Sequence, residues 1–262
     1  MRIATRLTMT MFCAMASIAV AAPALAQSEF ANLVDHVHLA APDQPKAVAW
    51  YQQQFGGQTM TEGPDRLMFG QTRLIFQKSE PQPSAGSVLD HIGFSVPDLD
   101  AAMKQFAANG VKITAPVRDV QGLFKLAFIE DPWGTRIEVV QDSQKLGLHH
   151  VHLRGPDPAA ALAWYVEKFG GKTGKLKGQI DGIQYGDVWV LAQRGEAVPS
   201  AGHAIDHIGF RPAQLDPTIA RLKTQGVKVT AEPRALTLAS GTTMHIAFIE
   251  GLDGVRIELV QR

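Results

Sequence analysis

The sequence predicts an α+β fold of paired β-α-β-β-β units, two repeats per chain, and three observations predict it. Residues 35–57 (DHVHLAAPDQPKAVAWYQQQFGG) match residues 149–171 (HHVHLRGPDPAAALAWYVEKFGG) at 13 of 23 positions, which marks an internal repeat. The likeness resumes in PSAG, in DHIGF, in GVKITAPVR against GVKVTAEPR, and in AFIEDPWGTRIEV against AFIEGLDGVRIEL. Its offset drifts from 114 to 120 residues, so short loop insertions separate matched elements. Within each copy, period-2 and helical patterns succeed one another in the same order twice.

Taken in order, residues 34–40 alternate as a strand. Ala47, Val48, Trp50, Tyr51 and Phe55 then recur at helical spacing and stop at Gly56-Gly57. Short strands follow at 66–69 and 73–77. The second half repeats the order, with a strand at 91–96, a helix over 99–109 ended by Gly110, and strands at 111–113, 126–129 and 136–140. Asp98 and Asp100, flanking Leu99, read as the helix N-cap. Trp50-Tyr51 and Trp164-Tyr165 sit among apolar neighbours and read as core.

Met1, Arg2 and Arg6 precede an apolar run over 7–20, and Ala24-Leu25-Ala26 has the small-x-small pattern of a cleavage site. Residues 1–26 are therefore expected to be a secretory signal. The run is too short for a stable membrane span, and the mature chain is expected in the periplasm or outside the cell without membrane association. The two modules then cover 31–142 and 146–262. Cleavage removes Cys13, the sole cysteine, and with it any disulfide or thiolate ligand. Without Arg2 and Arg6, the 25 basic residues become 23 against 25 acidic ones, with no basic stripe, which argues against a nucleic-acid partner. All nine histidines lie in the mature region.

The HVHL strand, the central DHIGF strand and the closing D-P-x-G-x-R-I-E strand resemble the vicinal-oxygen-chelate superfamily. It includes glyoxalase I, methylmalonyl-CoA epimerase, fosfomycin-resistance proteins, bleomycin-binding proteins and extradiol dioxygenases. The resemblance covers almost the whole mature chain twice and implies curved open-barrel sheets. In its metal-binding members one His comes from the first strand, one from the first strand of the second half, and a carboxylate from the last. The resemblance thus implies His36, His91 and Glu138, and again His150, His207 and Glu258, as ligands. Two imidazoles and a carboxylate suit a divalent ion such as Fe(II), Mn, Zn, Ni or Co with open positions for a small-molecule substrate. The competing expectation is packed core histidines in a metal-free member. Three slots filled in both copies favour metal.

His38 and His152 follow the proposed ligands by two residues, so they face the same concave surface as acid/base or supporting groups. A packed strand histidine is the plain alternative. Gln77 and Gln193 lie on the strand that in glyoxalase I and the epimerase resembles the source of a fourth ligand; a register shift of two selects Ile75 and Leu191 instead. His245, opposite Lys125 in the other copy, falls where extradiol dioxygenases carry a His-bearing motif, although the motif's Tyr and Pro are missing. Arg136 and Arg256 are expected off the glutamate's face or beside its end, as surface or pairing residues.

Three functional readings follow. The first is a metal-dependent, glyoxalase-like enzyme performing lyase or isomerase chemistry through a Lewis-acid ion. The second is an Fe(II) extradiol-type dioxygenase acting on a catechol-like substrate. The third is a non-catalytic periplasmic binding or sequestration protein. Each triad can close within its own module, or the modules can exchange halves, joining His36 to His207 and Glu258, and His150 to His91 and Glu138. The dozen residues between Glu138 and His150 permit both, in a monomer or a homodimer. Specificity is expected from loops 119–124 and 236–243.

Overall fold

The computed structural model describes residues 29–262; the expected signal segment lies outside the described residues. The first repeat runs β1 (Phe30–Ala40), α1 (Gln44–Phe55), β2 (Gln58–Met60), β3 (Gly63–Phe69), β4 (Thr72–Gln77), then β5 (Leu89–Ser95), α2 (Leu99–Ala108), β6 (Lys112–Asp119), β7 (Lys125–Glu130) and β8 (Arg136–Val140). The second runs β9 (Gly147–Gly155), α3 (Pro158–Phe169), β10 (Lys172–Leu176), β11 (Ile180–Tyr185), β12 (Val188–Arg194), then β13 (Ile205–Pro212), α4 (Leu215–Thr224), β14 (Lys228–Thr237), β15 (Thr243–Glu250) and β16 (Arg256–Gln261). The β-α-β-β-β order expected for each half is present four times.

Local chemistry accounts for the helix ends. Asp43 caps α1 by accepting from the Lys46 amide at 3.1 Å, and Asp98 caps α2 by accepting from Ala101 at 3.0 Å; such caps contribute about 1 kcal/mol each. Asp100 sits in the first turn of α2 and pairs with Lys125 instead. Ala47 and Tyr51 bury one face of α1; Leu99, Met103 and Phe106 bury one face of α2.

The strands form two eight-stranded sheets, ordered β14-β15-β16-β13-β1-β4-β3-β2 and β10-β11-β12-β9-β5-β8-β7-β6. Each sheet joins the first half of one repeat to the second half of the other. The joints are antiparallel, β1 against β13 and β5 against β9. Halves of the same repeat meet instead through the core between the sheets, where Phe55 of α1 stacks on Phe94 of β5 at 4.0 Å and Phe169 of α3 on Phe210 of β13 at 4.4 Å. Such pairs contribute about 0.5–1.5 kcal/mol beyond area burial. Tyr51 is fully buried, and its hydroxyl donates to Asp131 at 2.8 Å, which fits the core role expected of the Trp-Tyr pairs.

Candidate metal centres

Exchange of halves decides which donors meet. On β1 and β13, His36 stands opposite Gly209 and His38 opposite His207, while Gly209 pairs in parallel with Glu258 of β16. Ligand atoms of His36, His38, His207 and Glu258 all lie within 4.8 Å of one another, and so do those of His91, Glu138, His150 and His152. In the first cluster His36 Nε2 and His207 Nε2 stand 3.2 and 3.1 Å from Glu258 Oε2. In the second, His91 Nε2 and His150 Nε2 stand 3.3 and 3.1 Å from Glu138 Oε2. Every cluster thus takes donors from both repeats.

Glycine in the DHIGF strands is what lets the histidines enter. A Cβ on Gly209 would fall 2.1 Å from His36 Cε1, and one on Gly93 would fall 2.1 Å from His150 Cε1. No side chain larger than hydrogen fits beneath either imidazole.

A carboxylate directly before the histidine steadies three of the four rings. Asp35, Asp90 and Asp206 face the Nδ1 atoms of His36, His91 and His207 at 3.0, 2.7 and 2.6 Å. Neighbours on a regular strand point apart, but the β1–β13 and β5–β9 registers shift at these residues and bring the side chains together. Such outer partners fix the ring so that Nε2 turns inward. His150 is the exception, because its neighbour is His149, whose Nδ1 lies 2.9 Å from His150 Nδ1.

The donor set fits a divalent ion. Nδ1 of His38 and of His152 are buried without a hydrogen-bond partner, while Nε2 of His36 and of His150 face only the cluster's own carboxylate. Burial alone would push His36 down, yet the Glu258 and Asp35 carboxylates raise it to about 9. Glu258 is disfavoured by burial, yet His36 and His207 hold it well below the usual carboxylate range. Burial, reinforced by His207 and His36, drives His38 well below its usual value; His152 shifts the same way through burial, His91 and His150. The clusters therefore favour a carboxylate beside an imidazolium, a charge arrangement that a cation can replace.

The remaining predicted residues fare differently. His38 and His152 join the clusters, as strand alternation required. Gln77 lines the cavity above the first cluster but lies opposite Ala40; the residue level with His38 is Ile75, and the one level with His152 is Leu191. Gln193, opposite Arg154, likewise stands outside the second cluster. The fourth place in each donor group is held by His38 or His152. His245 is exposed on β15 between buried Met244 and Ile246, which line the cavity, so alternation turns it away from the site. Arg136 and Arg256 were expected off the glutamate's face or beside its end, as surface or pairing residues; a spacing of two puts them on the glutamate's face, and both are pairing residues, bound to Asp90 and Asp206 at 2.7 and 2.8 Å and lying over Phe128 and Phe248. The sequence reading missed Arg66, Arg234 and Arg262 around the first cavity. It also missed the orienting aspartates, although the Asp-His dipeptide occurs three times.

The profile of the Glyoxalase/Bleomycin resistance protein/Dioxygenase superfamily matches residues 33–139 and 147–259, and the chain belongs to that family. Glyoxalase I from Zea mays superposes with a TM-score of 0.69 over 87% of this chain and 92% of that chain, at 21% identity, a likeness of fold. A single-substitution variant of the maize enzyme gives 0.67 at 20% identity over 87% and 92%. The lactoylglutathione lyase of Pseudomonas aeruginosa is 47% identical over 53 residues, 20% of this chain; the matched stretch spans 29% of that relative's length.

Proposed function

We propose that this chain is a metal-dependent, glyoxalase-like enzyme that performs lyase or isomerase chemistry on a small substrate with two adjacent oxygens. The observation that carries the reading is the convergence of His36, His38, His207 and Glu258 at a cavity of about 350 Å³. In this reading His36, His207 and Glu258 hold a divalent ion at the first centre, and His91, Glu138 and His150 hold one at the second. When bound, the ion supplies Lewis acidity toward the substrate's oxygens. Asp35 and Asp206 keep the ligand rings in place. His38, whose buried Nδ1 has no hydrogen-bond partner and whose ring stacks on His207, takes a proton from the substrate as general base in this reading. The apolar wall of Met244, Ile246 and Phe248 keeps water from the reacting atoms. The dioxygenase alternative draws no support from His245, which faces away.

The test is metal analysis of the full chain purified without chelators, followed by assay of the loaded protein against hemithioacetals of 2-oxoaldehydes and against catechols. Stoichiometric metal with turnover of the former, abolished by His207→Ala, is the expected result. Oxygen consumption with catechols transfers the assignment to the dioxygenase reading, and ligand binding unchanged by removal of metal transfers it to the sequestration reading. The same proposal keeps export: a mature N-terminus after Ala26 in a periplasmic or secreted fraction is expected, and an intact N-terminus contradicts it.

A further inference from the structure

The two clusters have the same types of donor but differ, position by position, in what surrounds them. Arg66 of β3 and Arg262, just after β16, line the first cup, and Arg73 of β4 is buried behind it in pairs with Asp35 and Glu62. The repeat-equivalent positions carry Gly182, Asp142 and Trp189. In the first cup the wall formed by Met244, Ile246, Phe248 and Val260 packs as a cluster of its own. The cavity of about 350 Å³ separates it from Asp65, Arg66 and Ile75 on the other side.

In the second cup the equivalent wall, Phe124, Leu126, Phe128 and Val140, merges with Leu176 and Leu191 of the facing strands into a single buried cluster, with Ile180 and Trp189 packed against it. Apolar side chains thus meet where the first cup is open. Gly182 takes part in this closure: a Cβ there would lie 2.6 Å from Leu191 Cδ2, so Leu191 fills the space beside the position that Arg66 holds in the first cup. At the rim, Gln179 Nε2 donates to the Gln121 carbonyl at 3.3 Å and ties the β6–β7 loop to the β10–β11 turn. A groove of about 530 Å³ runs outside this cap past Leu176, Trp189 and His149, and none of the four cluster residues lines it.

Charge separates the two cups further. Around the first cavity, Arg66 pairs with Asp65, Arg256 with Asp206, and Arg262 with Asp35 and Glu62. Arg234 and Lys78 also line it, and neither forms an ion pair among the described residues. The two carboxylates in the lining are Asp65, already engaged by Arg66, and Glu258, within the donor cluster. The mouth of the first cup therefore carries two cations, Arg234 and Lys78, that form no ion pair among the described residues, beside a donor set suited to an ion that chelates two oxygens.

We propose that the first cluster alone is a substrate site, that its substrate carries an oxyanion group received by Arg234 and Lys78, and that the apolar cap keeps substrate from the second cluster. This rests on the reading that both clusters hold a divalent ion. A bare ion reaches the second cluster during folding or transient opening, whereas an organic ligand must displace the cap. Carboxylate, phosphonate and phosphate ester share the recognised chemistry.

The test uses the full chain loaded with Co(II) and oxalate as the probe, a dianion with two adjacent oxygens, followed by the visible cobalt bands and by calorimetry. One equivalent of oxalate bound against two of cobalt is expected. Binding should persist in His91→Ala and vanish in His207→Ala. Arg234→Gln combined with Lys78→Gln should weaken oxalate about tenfold or more while cobalt content stays unchanged. Two equivalents of oxalate in the wild-type protein, or an affinity unmoved by the double substitution, overturns the inference and leaves the metal reading standing. Failure of the chain to bind cobalt overturns both. Competition by phosphonoformate and by phosphoglycolate then ranks the carboxylate, phosphonate and phosphate ester forms.

Discussion

His38 is the residue on which the chemistry turns, since it shares a strand face with His36, stacks on His207 at 4.2 Å and has a buried Nδ1 without a partner. As a general base it is dispensable for metal. His38→Gln is expected to retain stoichiometric ion and to lower kcat about 10²–10⁴-fold; loss of the ion instead would make His38 a ligand. Asp206 acts one step back, through the His207 ring, and Asp206→Asn is expected to weaken metal binding about 10–100-fold, read by chelator competition. The protonation of His36 supplies a pH signature. Its folded value is raised to about 9 from 6.5, so in the metal-free chain its charged form stabilises the fold below about 6.5, and that contribution is lost as pH rises through 9. Metal requires the neutral ring. Loading between about pH 7 and 9 should release a proton, and affinity should climb across that window; calorimetry in buffers of different ionisation enthalpy measures it, and uptake without proton release contradicts the charge assignment.

At the scale of single elements, the DHIGF strands control access by what they omit. Gly209→Ala would drive a methyl group into the His36 ring and Gly93→Ala into the His150 ring. Each substitution is expected to cost one bound ion per chain while the rest of the fold survives, a result that metal analysis and circular dichroism read together. The donors were legible in the sequence by two routes: the family resemblance, repeated in both copies, pointed to His36, His207 and Glu258, and period 2 put His38 on the face of His36, where all four now meet. His245 was open to the same logic, since buried Met244 and Ile246 on either side turn it outward. The glutamines were harder, because choosing between Gln77 and Ile75 depends on the parallel register of β1 with β4, which pairs His38 with Ile75 and leaves no local mark in the sequence. The Asp35–His36 contact was also hidden, for it arises from a register shift that a strand pattern does not encode. Arg66 and Arg234 come from elements far apart in the chain, and only tertiary packing makes them neighbours.

For the whole molecule, exchange of halves is the organising fact. Each sheet is built from both repeats, so each cluster is complete only when the two modules fold together, and the chain from Glu138 to His150 was compatible with either partnering until the β1–β13 and β5–β9 ladders decided it. Duplication followed by this pairing gives two chemically similar centres whose surroundings are free to diverge, as the arginines of one cup and the apolar cap of the other show. The most direct test is a pair of double variants in the full chain, with metal content counted per chain. If the donors are shared across repeats, His36→Ala with Glu258→Ala damages one centre only and retains one ion, whereas His36→Ala with Glu138→Ala damages both and retains none. The opposite pattern, with His36→Ala plus Glu138→Ala keeping an ion and His36→Ala plus Glu258→Ala losing both, would contradict the account.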